Sequence, residues 1–241
     1  MLHKTSGIVL HCQKYSDTSL IVKLYTKDFG LQSYLINGTR SKKSKTKASL
    51  FQPLSIIDLE VTHSEKGELQ RMTEVNNSSP YQTIPYQIVK SSILLFVNEI
   101  LYKSLKESHS DAELFEFIKN SLLLLDIENR NCSNFHLYFM LRLTKHLGFY
   151  PQGEYIHNNS IFDLKEGVFK NSVPEHPFYL SISRSNQLYT FICGSFETIN
   201  TIKLNKLERK QLIESLILFY QFHIIGFGEV KSIAILEEVI S

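Results

Sequence analysis

The chain has 241 residues, 43% hydrophobic and 21% charged, which is enough apolar material for a packed core and excludes wholesale disorder. Its 26 Lys and Arg stand against 24 Asp and Glu, so the net charge of +2 excludes a histone-like polycation. Three widely spaced cysteines, Cys12, Cys132 and Cys193, exclude a disulfide framework and fit a reducing compartment. The opening Met-Leu-His-Lys-Thr-Ser-Gly has no apolar run of the signal-peptide kind. The uncharged, largely apolar stretch of residues 215–228 falls short of the roughly 20 residues a membrane helix needs. A cytoplasmic protein of one or two domains is expected.

The charge is unevenly spread. Residues 1–79 hold nine Lys and two Arg against three Asp and four Glu, whereas residues 80–241 carry a small acidic excess. Within residues 1–50, nine basic residues face two acidic ones, the footprint expected for a polyanionic partner.

The elements follow the same division. Five strand-length runs precede residue 80: 7–12, 20–26, 31–36, 54–61 and 69–75, each bounded by turn residues such as Asp28-Phe-Gly30 or Asn37-Gly38. Five short strands in so few residues predict a small closed barrel, which leaves no exposed sheet edge. Beyond Pro80 the apolar residues recur at helical spacing. Ile88, Val89, Ile93, Leu94, Val97, Ile100, Leu101 and Leu105 predict a first helix entered from Pro85. Ser110-Asp-Ala-Glu113 reads as a capping box opening a second, which runs to Leu125. A third is expected from about Asn134 to Leu147, stopped by Gly148 with Pro151 beyond. Residues 151–177 lack periodicity but contain a hairpin pattern, Phe162 to Phe169, turning at Glu166-Gly167. A short helix is expected near 185–193, and a long one opens at the box Asn205-Lys-Leu-Glu208 and reaches about Ile225. The fold class is therefore α+β, with a barrel over 1–79, a mainly helical domain over 80–241, and an irregular insert at about 151–180.

The segment most telling for function is Thr39-Arg-Ser-Lys-Lys-Ser-Lys-Thr-Lys47. Five of the eight positions from 40 to 47 are basic, none is acidic, and hydroxyl residues fill the gaps. Ammonium, guanidinium and hydroxyl groups suit phosphate oxygens. The competing reading is a solvated loop with no partner. Its place on a small barrel favours nucleic acid, because such barrels track a single strand in a basic groove with aromatic platforms. Tyr15, Tyr25, Phe29 and Tyr34 lie in this half, each also a candidate for the core. The DNA-contacting set expected is Arg40, Lys42, Lys43, Lys45, Lys47, Arg71 and Tyr34.

Catalytic signatures are missing: there is no phosphate-binding glycine loop, no nucleophile elbow and no His-Glu-x-x-His. Asp17, Asp28 and Asp58 are scattered, two of them in turns. No Cys-x-x-Cys or closely spaced His pair supports a zinc site, and His223 reads as a hydrogen-bonded core or rim histidine. No enzyme activity, metal or cofactor is expected.

Taken in order, several stretches resemble the RecO family of bacterial recombination mediators. They are Thr5-Ser-Gly-Ile-Val-Leu10; Tyr15-Ser-Asp-Thr-Ser19; Gly30-Leu-Gln-Ser-Tyr34 through the basic run to Phe51-Gln-Pro-Leu54; Leu147-Gly-Phe-Tyr-Pro151; Phe162-Asp-Leu with Glu166-Gly-Val-Phe169; and Tyr220-Gln-Phe-His223. The resemblance spans nearly the whole chain. It implies an N-terminal OB-fold and a helical C-terminal domain. It also implies binding of single- and double-stranded DNA, annealing of complementary strands, and loading of recombinase onto strands coated by single-strand-binding protein. The partners implied are RecR and the acidic, hydrophobic C-terminal tail of single-strand-binding protein, in a bacterial cytoplasmic, nucleoid-associated setting. Arg142 and Lys145 on the third helix are the candidates for meeting that tail, although each also reads as an ordinary solvated residue. Many family members carry a four-cysteine zinc site in the insert. This chain has no cysteine there, so zinc is not expected, and packing of Phe162, Phe169 and Phe178 would hold the segment. The alternative function is an adaptor whose basic barrel docks on an acidic protein without binding DNA. A metal-dependent nuclease built on the scattered acids ranks well behind.

Overall fold

A computed structural model describes residues 2–37, 48–64, 69–106 and 109–240. Five strands, β1 (Leu2–Lys14), β2 (Leu20–Thr26), β3 (Gly30–Ile36), β4 (Ile56–Thr62) and β5 (Leu69–Asn77), close into a barrel in the order β1-β2-β3-β5-β4. All neighbours are antiparallel except β3 and β5, the connectivity of an OB-fold. The six helices of the described residues follow: α1 (Ile88–Ser104), α2 (Ala112–Ile127), α3 (Phe135–His146), α4 (Ile182–Cys193), α5 (Lys206–His223) and α6 (Ile233–Val239). A two-stranded hairpin, β6 (Ile161–Asp163) with β7 (Val168–Lys170), lies between α3 and α4.

The chain forms two compact units that do not follow chain order: residues 1–87 with 101–127, and residues 88–100 with 128–241. The end of α1 and all of α2 thus group with the barrel, across the boundary expected at residue 79.

In the first unit, strand alternation fills the barrel. Leu20, Val22 and Leu24 of β2, Tyr34 and Ile36 of β3, and Ile57, Leu59 and Val61 of β4 share one core with Val9, Phe51 and Val75. Burying each such side chain contributes about 1.5–3 kcal/mol. The fourth strand begins two residues later than the sequence suggests. Pro53 and Leu54 form a turn in which Ser55 N–H donates to Gln52 C=O at 3.0 Å. Leu54 sits at φ +58°, a conformation costing a residue with a side chain about 1–2 kcal/mol. It is fully buried there, donates to Val9 C=O at 2.7 Å, and accepts from the Tyr81 hydroxyl at 2.6 Å. On α2, Asp126 accepts from the N–H groups of Gln82, Thr83 and Ile84 at 2.7–2.9 Å. Burial alone would raise its pKa; those bonds outweigh it and hold the carboxyl low. At the other end Asp111 caps α2, accepting from Leu114 N–H at 2.9 Å. That corrects the expected Ser110/Glu113 box: the cap is one residue further along.

In the second unit the expected signals operate as read. Gly148 takes φ +84° and lets Phe149 N–H reach Thr144 C=O at 3.0 Å, closing α3. Asn205 and Glu208 form the reciprocal capping box of α5. Phe149 packs edge-on to Phe219 and Tyr220 and stacks on His223, whose Nε2 lies 3.2 Å from Leu164 C=O. The short α6 closes the chain; its start, Ser232, is tied to Glu99 through both its N–H and its hydroxyl.

Candidate nucleic-acid interface

The closed barrel presents outward the alternate residues that its core does not use. Cross-strand register sets these in rows. One row runs Gln13, Ile21, Leu35, Arg71 and Thr62; the next runs His11, Lys23, Ser33 and Leu69. The described part of this face carries Lys23, Arg71 and His11 but no carboxylate; at its rim Asp17 is paired with Lys14 at 2.9 Å. It joins the outer surface of β2 and β3 to the turn between β1 and β2, the region with which OB-folds hold oligonucleotides. Asn37, which leads into the basic run, is tied to that turn: Ser19 Oγ donates to its Oδ1 at 2.9 Å. Tyr15 in the same turn is 63% exposed.

A different face is acidic. There Lys4, Glu60 and Glu74 form one row and Ser6, Asp58 and Asn76 another. With Lys27 and Asp28 they line a cleft of about 460 Å³. Its cations are engaged: Lys4 contacts Glu60 at 2.9 Å and Lys27 contacts Glu116 on α2 at 2.8 Å. Four carboxylates around one cleft repel a phosphate backbone.

The predicted residues divide accordingly. Arg71 is exposed on the basic face. Arg40, Lys42, Lys43, Lys45 and Lys47 lie outside the described residues; the flanks of their segment are Asn37 and Ala48. Tyr34 is corrected: it is fully buried in the barrel core and offers no ring face to a base, and burial pushes its phenol well up. Tyr25 is also enclosed, hydrogen-bonding Asp111 C=O and packing on Phe115, with its phenol pushed by burial up to about 12. The alternation of β3, Ser33 and Leu35 outward against Tyr34 and Ile36 inward, was the signal that places Tyr34 inside. Tyr102, in the last turn of α1 and grouped with the barrel, went unnoticed in the sequence. It is 40% exposed, with the Lys23 ammonium 5.1 Å from its ring centre and His11 at 5.4 Å.

In the second unit, Arg142 turns inward. Its guanidinium donates to Gly194 C=O at 2.5 Å and Ile192 C=O at 3.3 Å, closing the end of α4, and lies over Tyr138. That duty removes it from a free partner site and leaves Lys145 as the exposed cation of the pair.

The insert fits no zinc. Asp163, Glu166 and His176 bring donor atoms within 4.8 Å of one another, but an ammonium already serves them: Lys170 Nζ lies 2.8 Å from both carboxylates. His176 Nδ1 accepts from Phe178 N–H at 3.3 Å, which puts the neutral ring's proton on Nε2, facing Asp163 at 3.4 Å rather than offering a lone pair. Asp163 is fully buried and also accepts from Lys165 and Glu166 N–H. Burial would raise its pKa, and the Lys170 bond with those N–H groups overcomes this and holds it low. Phe162 and Phe169 pack beneath at 5.0 Å between centres, while Phe178, 39% exposed, meets Phe222 at the surface.

No helix among the described residues is long and apolar enough to cross a membrane. Two family models match the chain: Recombination protein O N terminal over residues 1–81 and Recombination protein O C terminal over residues 85–228. The chain is 36% identical to the DNA repair protein RecO of Phocaeicola vulgatus over the full length of both. It is 38% identical to that of Flavobacterium psychrophilum and 29% to that of Porphyromonas gingivalis, covering 99% and 96% of each chain. A closed barrel with a basic outer face, followed by helices and matched end to end, places this chain in the RecO family of DNA repair and recombination proteins.

Proposed function

We propose that the protein is a non-enzymatic recombination mediator that holds DNA on the β1–β2–β3 face of its barrel. The observation that carries this reading is the segregation of charge. Lys23 and Arg71 share a face without described carboxylates, and Asn37, which precedes the basic run in sequence, is tied to its rim, while Asp28, Asp58, Glu60 and Glu74 gather elsewhere. Phosphate contacts by Arg40, Lys42, Lys43, Lys45 and Lys47 release counterions and supply most of the affinity for single strands and duplex alike. Annealing requires no bond chemistry: a cationic surface lowers the repulsion between two strands and leaves the pairing to them. Recombinase loading, with RecR and the tail of single-strand-binding protein as partners, completes this reading, and the likeness to the RecO family supports it. Lys145 is the remaining exposed candidate on α3 for that acidic tail.

Fluorescence anisotropy of a labelled single strand, titrated at several salt concentrations, tests the reading. Each phosphate neutralised contributes about −0.7 to the log–log slope, so changing Lys42, Lys43, Lys45 and Lys47 to Ala flattens it by up to about 2.8. Salt-insensitive binding, or none, contradicts it and favours a protein adaptor.

A further inference from the structure

We propose that the β1–β2 hairpin carries a stacking site for unpaired bases, bounded by Tyr102 at one end and Tyr15 at the other. The inference rests on the nucleic-acid reading and deepens it by naming the side chains that would meet the bases of a single strand. The barrel's other tyrosines do not compete, because Tyr25 and Tyr34 are enclosed. Tyr102 and Tyr15 are 40% and 63% exposed. Both flank the β1–β2 ladder, Tyr102 from the end of α1 and Tyr15 from the turn that follows β1. Tyr102 leans on His11, the cross-strand partner of Lys23, and Tyr15 lies four residues further along from His11. At a rise of about 3.3 Å per residue, His11 and Tyr15 are at most about 13 Å apart along the chain, room for a short stretch of unpaired strand.

The chemistry between the ends matches such a ligand. Lys23, a half-buried residue, holds its ammonium 5.1 Å from the Tyr102 ring centre, placed to meet a phosphate beside a stacked base. Ile21 and Leu35, half-buried cross-strand partners one row over, offer apolar contact to base faces. Duplex DNA keeps its base faces stacked on one another, so it gains only the charge contacts. The hairpin would therefore favour single strands, while the basic run serves both forms.

The test compares full-length wild type with Tyr102→Ala, Tyr102→Phe, Tyr15→Ala and Tyr86→Ala, the last an exposed tyrosine outside the hairpin. Each is titrated with labelled oligothymidylate and with a labelled duplex of mixed sequence. Stacking on an aromatic side chain is worth enough that each hairpin alanine should weaken single-strand binding about fivefold or more. Duplex binding should change less than about twofold, and the salt slope should hold, since no charge is lost. Tyr102→Phe should retain wild-type affinity, and so should Tyr86→Ala. Unaltered single-strand binding by both hairpin alanines, or equal losses on both DNA forms, overturns the stacking site while leaving the DNA reading in place. Failure of wild type to bind either DNA overturns the DNA reading itself.

Discussion

Two faces of one barrel differ in almost everything except their scaffold. On the β1–β2–β3 side the outward rows hold His11, Lys23, Ser33 and Arg71; around the cleft they hold Asp58, Glu60 and Glu74. The inward positions of the same strands are mostly apolar, because packing dictates them, and polar exceptions such as Thr26 and Gln70 are hydrogen-bonded. Outward positions answer to solvent and partners, so charge can be sorted there at little cost to the fold. The lesson is that the net charge of +2 says almost nothing about binding, whereas the pleat says which charges act together.

If binding belongs to one barrel face, perturbing the second unit should lower stability and leave binding intact. The largest such effect is expected at Asp163. Changing it to Ala leaves two backbone N–H groups without their acceptor and the Lys170 ammonium with Glu166 alone, a loss of about 2–4 kcal/mol measurable by chemical denaturation. Binding per folded molecule should not change, and EDTA should leave the wild-type melt unmoved. A smaller effect comes from His136. Burial, with the nearby Arg209 charge, lowers its pKa to about 3, against an ordinary value of 6.5. The unfolded chain therefore takes up a proton that the folded chain refuses, and stability falls as pH drops below 6.5. The loss reaches about 2 kcal/mol by pH 5. His136→Leu should flatten that part of the pH–stability curve. Smallest, and most pointed for the comparison, are paired reversals on the barrel. Arg71→Glu should weaken single-strand binding about five- to tenfold at 0.1 M salt, and Glu74→Arg should change it less than about twofold. Equal effects would erase the distinction between the faces.

Much of this architecture was legible in the sequence. The existence and order of the five strands, the Asp28–Gly30 turn, the Gly148 stop and the Asn205/Glu208 box are local signals, and the structure uses them as read. Where the reading failed, nonlocal packing decided. Leu54 looks like a strand residue but is held in a turn by Val9 and Tyr81, far away in sequence. Tyr34 looked available for stacking, yet it falls on the inward phase of β3. Arg142 looked like a solvated helix cation, but the end of α4 lies within its reach. Tyr102 could not be recognised, because nothing local announces that the end of α1 meets His11 and Lys23. The acidic cleft was equally hidden: its carboxylates are scattered in sequence and meet only through register.

Lysine footprinting tests the central claim most directly. Full-length protein is acylated under limiting reagent with and without a saturating single strand, and each lysine is quantified by mass spectrometry. The account predicts protection of Lys23, Lys42, Lys43, Lys45 and Lys47, with Lys4 and Lys27 beside the acidic cleft unchanged. Protection of Lys4 and Lys27 with the basic run left reactive would contradict it.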